Sequence, residues 1–433
     1  MGCASAAGHL GRLGNLSAQT ASITTDYKAL VCIFLAGGCD SNNLIIPLQT
    51  LIQDYTSYQS VRGNNFILDS SVLIPVNARS GESYGLNPQL APLASLYSQG
   101  QLAFVANVGT LLVPSSVAGI KALQMPAPVN LYSHFDQQQQ WQTAQSATVA
   151  STGWGGRAID AIQPIYGSGT VPSGLSLSGR NLFLNGATTR AGEIGVTLPT
   201  LDGADQGVRD LAQQQILQLN SGLALVQSAN QTVSRAIAFS AAIKNAISNT
   251  NGLATVFPAT SIGAQLNQVA LLIRARAALG TYRQIFSITL GGFDLHSRQV
   301  YPESQLLGQL ANALVAFNQA IQEIGVPNQV TTFTESEFGR TLQLNSTGGT
   351  DHGWGSHQIV MGGALKAADI YGTFPNLLLN GPDDITGRGV WVPSTSLDQY
   401  GATLAAWFGV PAASMPSVFT NLSSFAKGNL GFV

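Results

Sequence analysis

Charge is what this chain lacks most: Lys, Arg, Asp and Glu make up only 9% of its 433 residues, 19 basic against 21 acidic, for a formal net charge of -2. Soluble domains ordinarily carry about 25%. With no basic surplus, the composition argues against nucleic acid as a partner and against a polybasic membrane patch. The surface must rely on Ser, Thr, Asn, Gln and Gly, and weak mutual repulsion leaves a homo-oligomer or larger assembly open. Cysteine is equally scarce. Cys3, Cys32 and Cys39 make no disulfide framework, because Cys32 and Cys39 are seven apart along one extended run and its exit. No run approaches the ~18 to 20 apolar residues of a membrane span.

Histidine is also sparse, and its placement is the most informative feature. Four of the five histidines fall in three short motifs that each contain an aspartate: SHFD at 133–136, FDLH at 293–296 and TDHGWGSH at 350–357. The fifth, His9, lies in a small-residue-rich segment, 1–25, that resembles the tail of an export signal and is taken as a leader or N-terminal extension. Residues 26–433 could hold more than one average domain, but an elaborated α/β sheet uses that length as one.

The motifs sit at the ends of apolar runs. KALVCIFLAGGCD (28–40) and IFSITLGGFDLH (285–296) share one design: a β-branched run, a Gly-Gly pair, then an aspartate. Both predict buried strands with a carboxylate at the carboxyl end. QVTTFTESEFGRT (329–341) predicts a third, delivering Glu335, Glu337 and Arg340. Ligands of open α/β sheets bind beyond the carboxyl ends of the strands, so these distant segments are expected to converge. Between them, 164–205 reads as short strands and turns, and 207–278 as Gln- and Ala-rich helices that insert into, cover or cap the sheet.

Aspartate with neutral imidazole is a donor set for Zn²⁺ or a similar cation. Asp40, Asp294, His296, Asp351, His352 and His357 are the candidate ligands, more than one tetrahedral site needs. One or two divalent ions (Zn, Ca, Mn or Mg) would activate water and stabilise an anionic transition state. Glu337 and His134 are expected behind the ligands, and Arg340 as a forked clamp for a tetrahedral oxyanion. Structural readings stand beside these. Asp40 also fits an Asx turn or helix N-cap, and Ser133 opens an S-x-x-D pattern close to a capping box. Asp294 and His296 in DLH, and Asp351, His352 and His357 in DHGWGSH, flanked by glycine, make poor core material.

The stretches LVCIFLAGGCDSNNLIIPL, LGGFDLHS, FTESEFGRT and GGTDHGWGSHQIVMGGALKAADIYGTFP resemble the domain of unknown function 1501 family, exported bacterial proteins similar to the alkaline phosphatase and sulfatase superfamily. The resemblance runs from about Asp26 to the C-terminus. It implies a three-layer α/β/α sandwich, alkaline-phosphatase-like, with a mostly parallel central sheet and a helical insertion. It also implies Asp40 as the first-strand metal aspartate, Asp294 and His296 as earlier ligands, Asp351-His352 as the adjacent pair and His357 as the last histidine. Ser133, at a helix start after the strand-like LAFVANVG (102–109), takes the place of the nucleophile. No C/S-x-P-x-R sulfatase signature is present. Asp294 and His296 are closer than in alkaline phosphatases, and His357 follows Asp351 far sooner, so one metal site is expected to be altered or missing. The expected function is an exported, metal-dependent hydrolase of phosphate or sulfate esters, acting on an anionic ester or glycan in the periplasm, at the cell surface or after secretion. The competing expectation is a structural or assembly protein whose metal site is structural or degenerate.

Overall fold

The apolar run that opens the domain forms strand β1, Lys28–Ala36, and its residues alternate between two cores. Ala29, Val31, Ile33 and Leu35 face one; Leu30, Cys32 and Phe34 face the other. A strand apolar on both faces must be covered on both, which dictates a three-layer α/β/α arrangement. The computed structural model describes residues 26–63, 66–148, 150–167, 171–195, 215–218 and 222–433. The leader-like segment 1–25, residues 196–205 of the strand-and-turn stretch, and 207–214 and 219–221 of the Gln- and Ala-rich stretch lie outside the described residues.

The remaining strands are β2 (Ile45–Gln49), β3 (Ile74–Asn77), β4 (Ser83–Leu86), β5 (Leu102–Gly109), β6 (Gly174–Ser176), β7 (Gly192–Glu193), β8 (Arg283–Gly291), β9 (Val330–Glu335), β10 (Ser356–Met361), β11 (Ile370–Tyr371) and β12 (Thr395–Ser396). Among the described residues the main sheet runs β11-β5-β10-β9-β1-β8-β6-β7, with β12 also on β5. Every pairing is parallel except those of β10, which is antiparallel to β9 and β5. β2, β4 and β3 form a small antiparallel sheet just after the β1 exit. Central β1 pairs with β8 from Lys28↔Arg283 to Ala36↔Gly291 and with β9 from Ala29↔Val330 to Phe34↔Glu335. That register brings three carboxyl ends side by side.

The helices that matter here are α1 (Tyr55–Arg62), α2 (His134–Thr143), α3 (Trp154–Tyr166), α4 (Ala224–Ser248), α5 (Ser261–Arg274), α6 (Val300–Ile324) and α7 (Leu397–Phe408). On one face, α5 and α6 supply Ile262, Leu266, Val269, Leu310, Leu314 and Phe317, an apolar stripe at helical spacing. On the other, α2, α3 and α7 supply Trp141, Trp154, Ile159, Tyr400 and Leu404. The Gln- and Ala-rich stretch therefore divides: α5 is part of a sandwich layer, whereas α4 is exposed over most of its length and buries Ile243 and Ala246 near its end. No described helix is long and apolar enough to cross a membrane.

Candidate metal centre

Five segments meet at the carboxyl edge of the sheet: the β1 exit, the β8 exit with Asp294 and His296, the β9 exit with Glu337 and Arg340, the 345–355 loop, and the start of α2. Their backbones touch closely enough to demand glycine. Gly37 has φ +115° and a Cβ there would collide with the backbone nitrogen of Asp294; a Cβ on Gly349 would strike the His296 carbonyl carbon.

Arg340 ties these segments together. Its buried guanidinium donates to the carbonyls of Gly37, of Gly38 at 2.8 Å, of Phe293 at 3.3 Å and of Thr350 at 3.1 Å, and to Asp294 Oδ1 at 2.6 Å. With these donors committed to the protein, the expected clamp on substrate is corrected to a staple between loops, fastened by Arg's rigid fork of donors.

Three imidazoles converge on one carboxylate oxygen. The Nε2 atoms of His134, His296 and His352 lie 3.5, 3.1 and 3.4 Å from Asp294 Oδ1, and those of His296 and His352 are 2.9 Å apart. Each ring is fixed from behind through Nδ1. His352 Nδ1 is 2.8 Å from the Tyr132 carbonyl, which can only accept, so Nδ1 carries the hydrogen. His134 Nδ1 is 2.8 Å from Glu337 Oε1, which also accepts from the Gly37 amide at 2.9 Å and Gln138 at 3.0 Å. His296 Nδ1 is 3.3 Å from Asp351 Oδ1. Acceptors behind His134 and His352 leave the Nε2 lone pairs of these two rings, when neutral, pointing inward. His134 Nε2 is buried without a hydrogen-bond partner in the protein.

These residues fit a cation. Ligand atoms around an ion with bonds of ~2.1 Å stand ~3.4 Å apart in a tetrahedron, close to the 3.5 and 3.4 Å from the Nε2 atoms of His134 and His352 to Asp294 Oδ1. The ligand atoms of His134, Asp294 and His352 all lie within 4.8 Å of one another.

Electrostatics point the same way. Burial pushes the Asp294 carboxyl up, but the hydrogen bond and charge of Arg340 and the nearby histidines outweigh it and hold the group below its usual range. Asp351 is lowered too, where hydrogen bonds from Asn345, Arg388 and His296 overcome its burial. His352 is lowered by burial first, then by the charges of Arg340 and its neighbouring histidines, against the Tyr132 carbonyl. Both carboxylates are therefore ionised and His352 neutral near pH 7, the states a metal requires.

Beside the cluster opens a cavity of about 340 Å³ lined by Tyr132, His296, Thr341, His352, Thr386 and Arg388. Arg388 Nη1 is 2.7 Å from Asp351 Oδ2, with its side chain 39% exposed. It rides on a loop pinned by buried Asp384, which accepts the amides of Asn380, Thr386, Gly387 and Val390. Nothing in the sequence flagged Arg388, because only the fold places it opposite Asp351. His134, expected to stand behind the ligands, instead stands with Asp294 and His352 in the group whose ligand atoms could hold an ion.

Two expected ligands lie elsewhere. Asp40 is buried under Arg62, whose Nη2 is 2.7 Å from both carboxylate oxygens, and it accepts from Gln299 at 2.6 Å. Its side chain makes no cap bond either. A carboxylate so deep in the sheet edge needs a cation to offset desolvation, and α1 supplies one. His357, on β10, is a core residue: Nδ1 accepts from the Asn107 amide at 3.0 Å, the ring stacks on Phe374, and burial lowers its pKa to about 3. Ser133 caps α2, its hydroxyl accepting from the Asp136 amide at 3.4 Å. Cys39 is a buried free thiol in the first core.

Compared with known proteins, the chain matches the family described as Protein of unknown function (DUF1501) over residues 27–384. No curated protein matches it in sequence. Among solved structures it is similar to Ps i-CgsB in complex with k-i-k-neocarrahexaose, at 10% identity and TM-score 0.37, covering 92% of this chain and 77% of that one. It is similar also to the PsFucS1 sulfatase from Pseudoalteromonas sp., at 8% identity and TM-score 0.35, covering 93% and 70%. A third is the C-terminal periplasmic domain of EcEptC from Escherichia coli in complex with Zn, at 9% identity and TM-score 0.34, covering 89% and 83%.

Proposed function

The chain belongs to the DUF1501 family, and from that premise and the geometry of the centre we propose that it is a metal-dependent hydrolase of phosphate or sulfate esters acting outside the cytoplasm. One observation carries the reading: the ligand atoms of His134, Asp294 and His352 all lie within 4.8 Å of one another, with His296 Nε2 2.9 Å from that of His352. Three donor atoms around one point, with His296 beside them, support a single ion. Bound there, a divalent cation supplies Lewis-acid polarisation of an ester oxygen and activation of water.

The chain's own groups do the rest. Glu337 and the Tyr132 carbonyl hold the His134 and His352 rings in the tautomer that exposes Nε2. Arg388, at the mouth of the 340 Å³ cavity, draws an anionic ester in and orients it through charge-assisted hydrogen bonds. Asp294, with 49% of its side chain exposed, leaves the centre open to solvent and substrate. Export is supported by the leader-like composition of residues 1–25.

Metal equivalents per chain, measured on dialysed protein before and after chelation, test the reading together with hydrolysis of p-nitrophenyl phosphate and p-nitrophenyl sulfate. About one zinc, manganese, calcium or magnesium ion is expected, lost with activity in His296→Ala/His352→Ala. Hydrolysis that persists in that variant without metal would overturn it.

A further inference from the structure

A second polar cavity lies on the other side of Glu337. About 160 Å³ in volume, it is set between β1, β8 and the start of α2, under the segment that follows β6. Glu335, Cys32, Ser287, Gln138, Gln142 and Asn181 line it. Its polar groups are almost all uncharged. Burial, with no cationic partner, raises the Glu335 pKa to about 8, so this carboxyl enters the neutral range as an acid. Its Oε2 accepts from Cys32 Sγ at 3.7 Å and its Oε1 from the Trp154 indole at 3.3 Å. Asn181 donates to Ser287 Oγ at 2.7 Å. The one cation, Arg180, has a side chain 89% exposed at the rim and pairs with Glu193 at 3.5 Å.

A cavity of amides, hydroxyls and a carboxylic acid both donates and accepts, and its one cation, Arg180, stands exposed at the rim and paired with Glu193. Phe34 and Phe183 add apolar ring faces to the same walls. Hydroxyls on an apolar ring meet both demands at once. We infer that this cavity is a binding site for an uncharged, polyhydroxylated ring, a neutral sugar residue. Gln138 lines the cavity and donates to Glu337, the carboxylate that orients His134, so the two sites share a wall. The ring is thus the neutral neighbour of whatever group the centre acts on, yet its binding requires no metal.

The test is saturation-transfer NMR on chelated, metal-free protein with methyl β-D-galactopyranoside, methyl β-D-glucopyranoside and methyl α-D-mannopyranoside, and inorganic phosphate as competitor. Saturable transfer to at least one glycoside, unaffected by phosphate, is expected. Exposed Ser178 lines the cavity, so Ser178→Trp plugs it without disturbing the core and should cut the signal at least tenfold. No transfer to any of the glycosides, or transfer that survives Ser178→Trp or is displaced by phosphate, would overturn the inference. Because the metal is absent, these outcomes are independent of whether the centre hydrolyses esters.

Discussion

Replacing Glu335 with Gln should change how stability depends on pH more than stability itself. The carboxyl is fully buried on β9, and burial lifts its pKa from 4.5 to about 8. Below pH 4.5 it is protonated in both folded and unfolded chains and has no effect. Between 4.5 and 8 the folded chain keeps the proton while the unfolded chain releases it, so stability falls as pH rises, by ~1.4 kcal/mol per unit, and levels off above 8. Across the window the loss is on the order of 5 kcal/mol. Cys32 and Tyr400 face the same group, and burial pushes both upward, so neither carries charge here. Gln mimics the neutral acid and does not ionise. Urea unfolding of both proteins at pH 5, 6, 7 and 8 gives the difference directly. Glu303, raised to about 8, Asp398, raised to about 7, and His357, lowered to about 3, titrate in both proteins and cancel. The variant should be near parity at pH 5 and the more stable by several kcal/mol at pH 8. A difference that stays constant across the range would refute the reasoning.

Glu337→Gln should weaken metal affinity about 10- to 100-fold by loosening His134, read by competition with a chelator, whereas Asp40→Asn should leave it unchanged. Asp40→Asn instead leaves Arg62 buried without its countercharge and should destabilise the protein by ~3–5 kcal/mol in denaturant titration. Ser133→Ala should cost ~1 kcal/mol, as loss of a helix cap does, and keep ester hydrolysis within a few-fold; complete loss of turnover would return it to the role of nucleophile. Arg388→Ala should raise KM for an anionic ester about tenfold with kcat less affected, the loss of ~1.5 kcal/mol of charge-assisted hydrogen bonding; an unchanged KM would remove Arg388 from the binding site.

Sequence pattern carried the sheet further than the site. β1, β8 and β9 were legible because two-sided burial writes continuous apolar runs, and their Gly-Gly and carboxylate endings marked the edge where the site lies. Asp294, His296 and Glu337 came with those endings, and Asp351 and His352 with the histidine motif at 350–357. Asp40 and His357 misled because composition does not reveal a partner: Arg62, 22 residues on, claims the first, and the alternation of β10 turns the second into the core. Ser133 took the cap that its S-x-x-D pattern offered, while His134, one position on, turns into the cluster, since a cap hydroxyl turns back to its own helix.

The β1–β8–β9 register has a consequence in time. His134 and His352 stand roughly 200 residues apart in the chain, and a ribosome adding ~5–20 residues per second needs about 10–40 s to pass from one to the other. Until then His134 on α2 is joined only by Asp294 and His296, and the group of His134, Asp294 and His352 is incomplete. A metal bound as proposed would therefore be loaded only after residue 352 has been made.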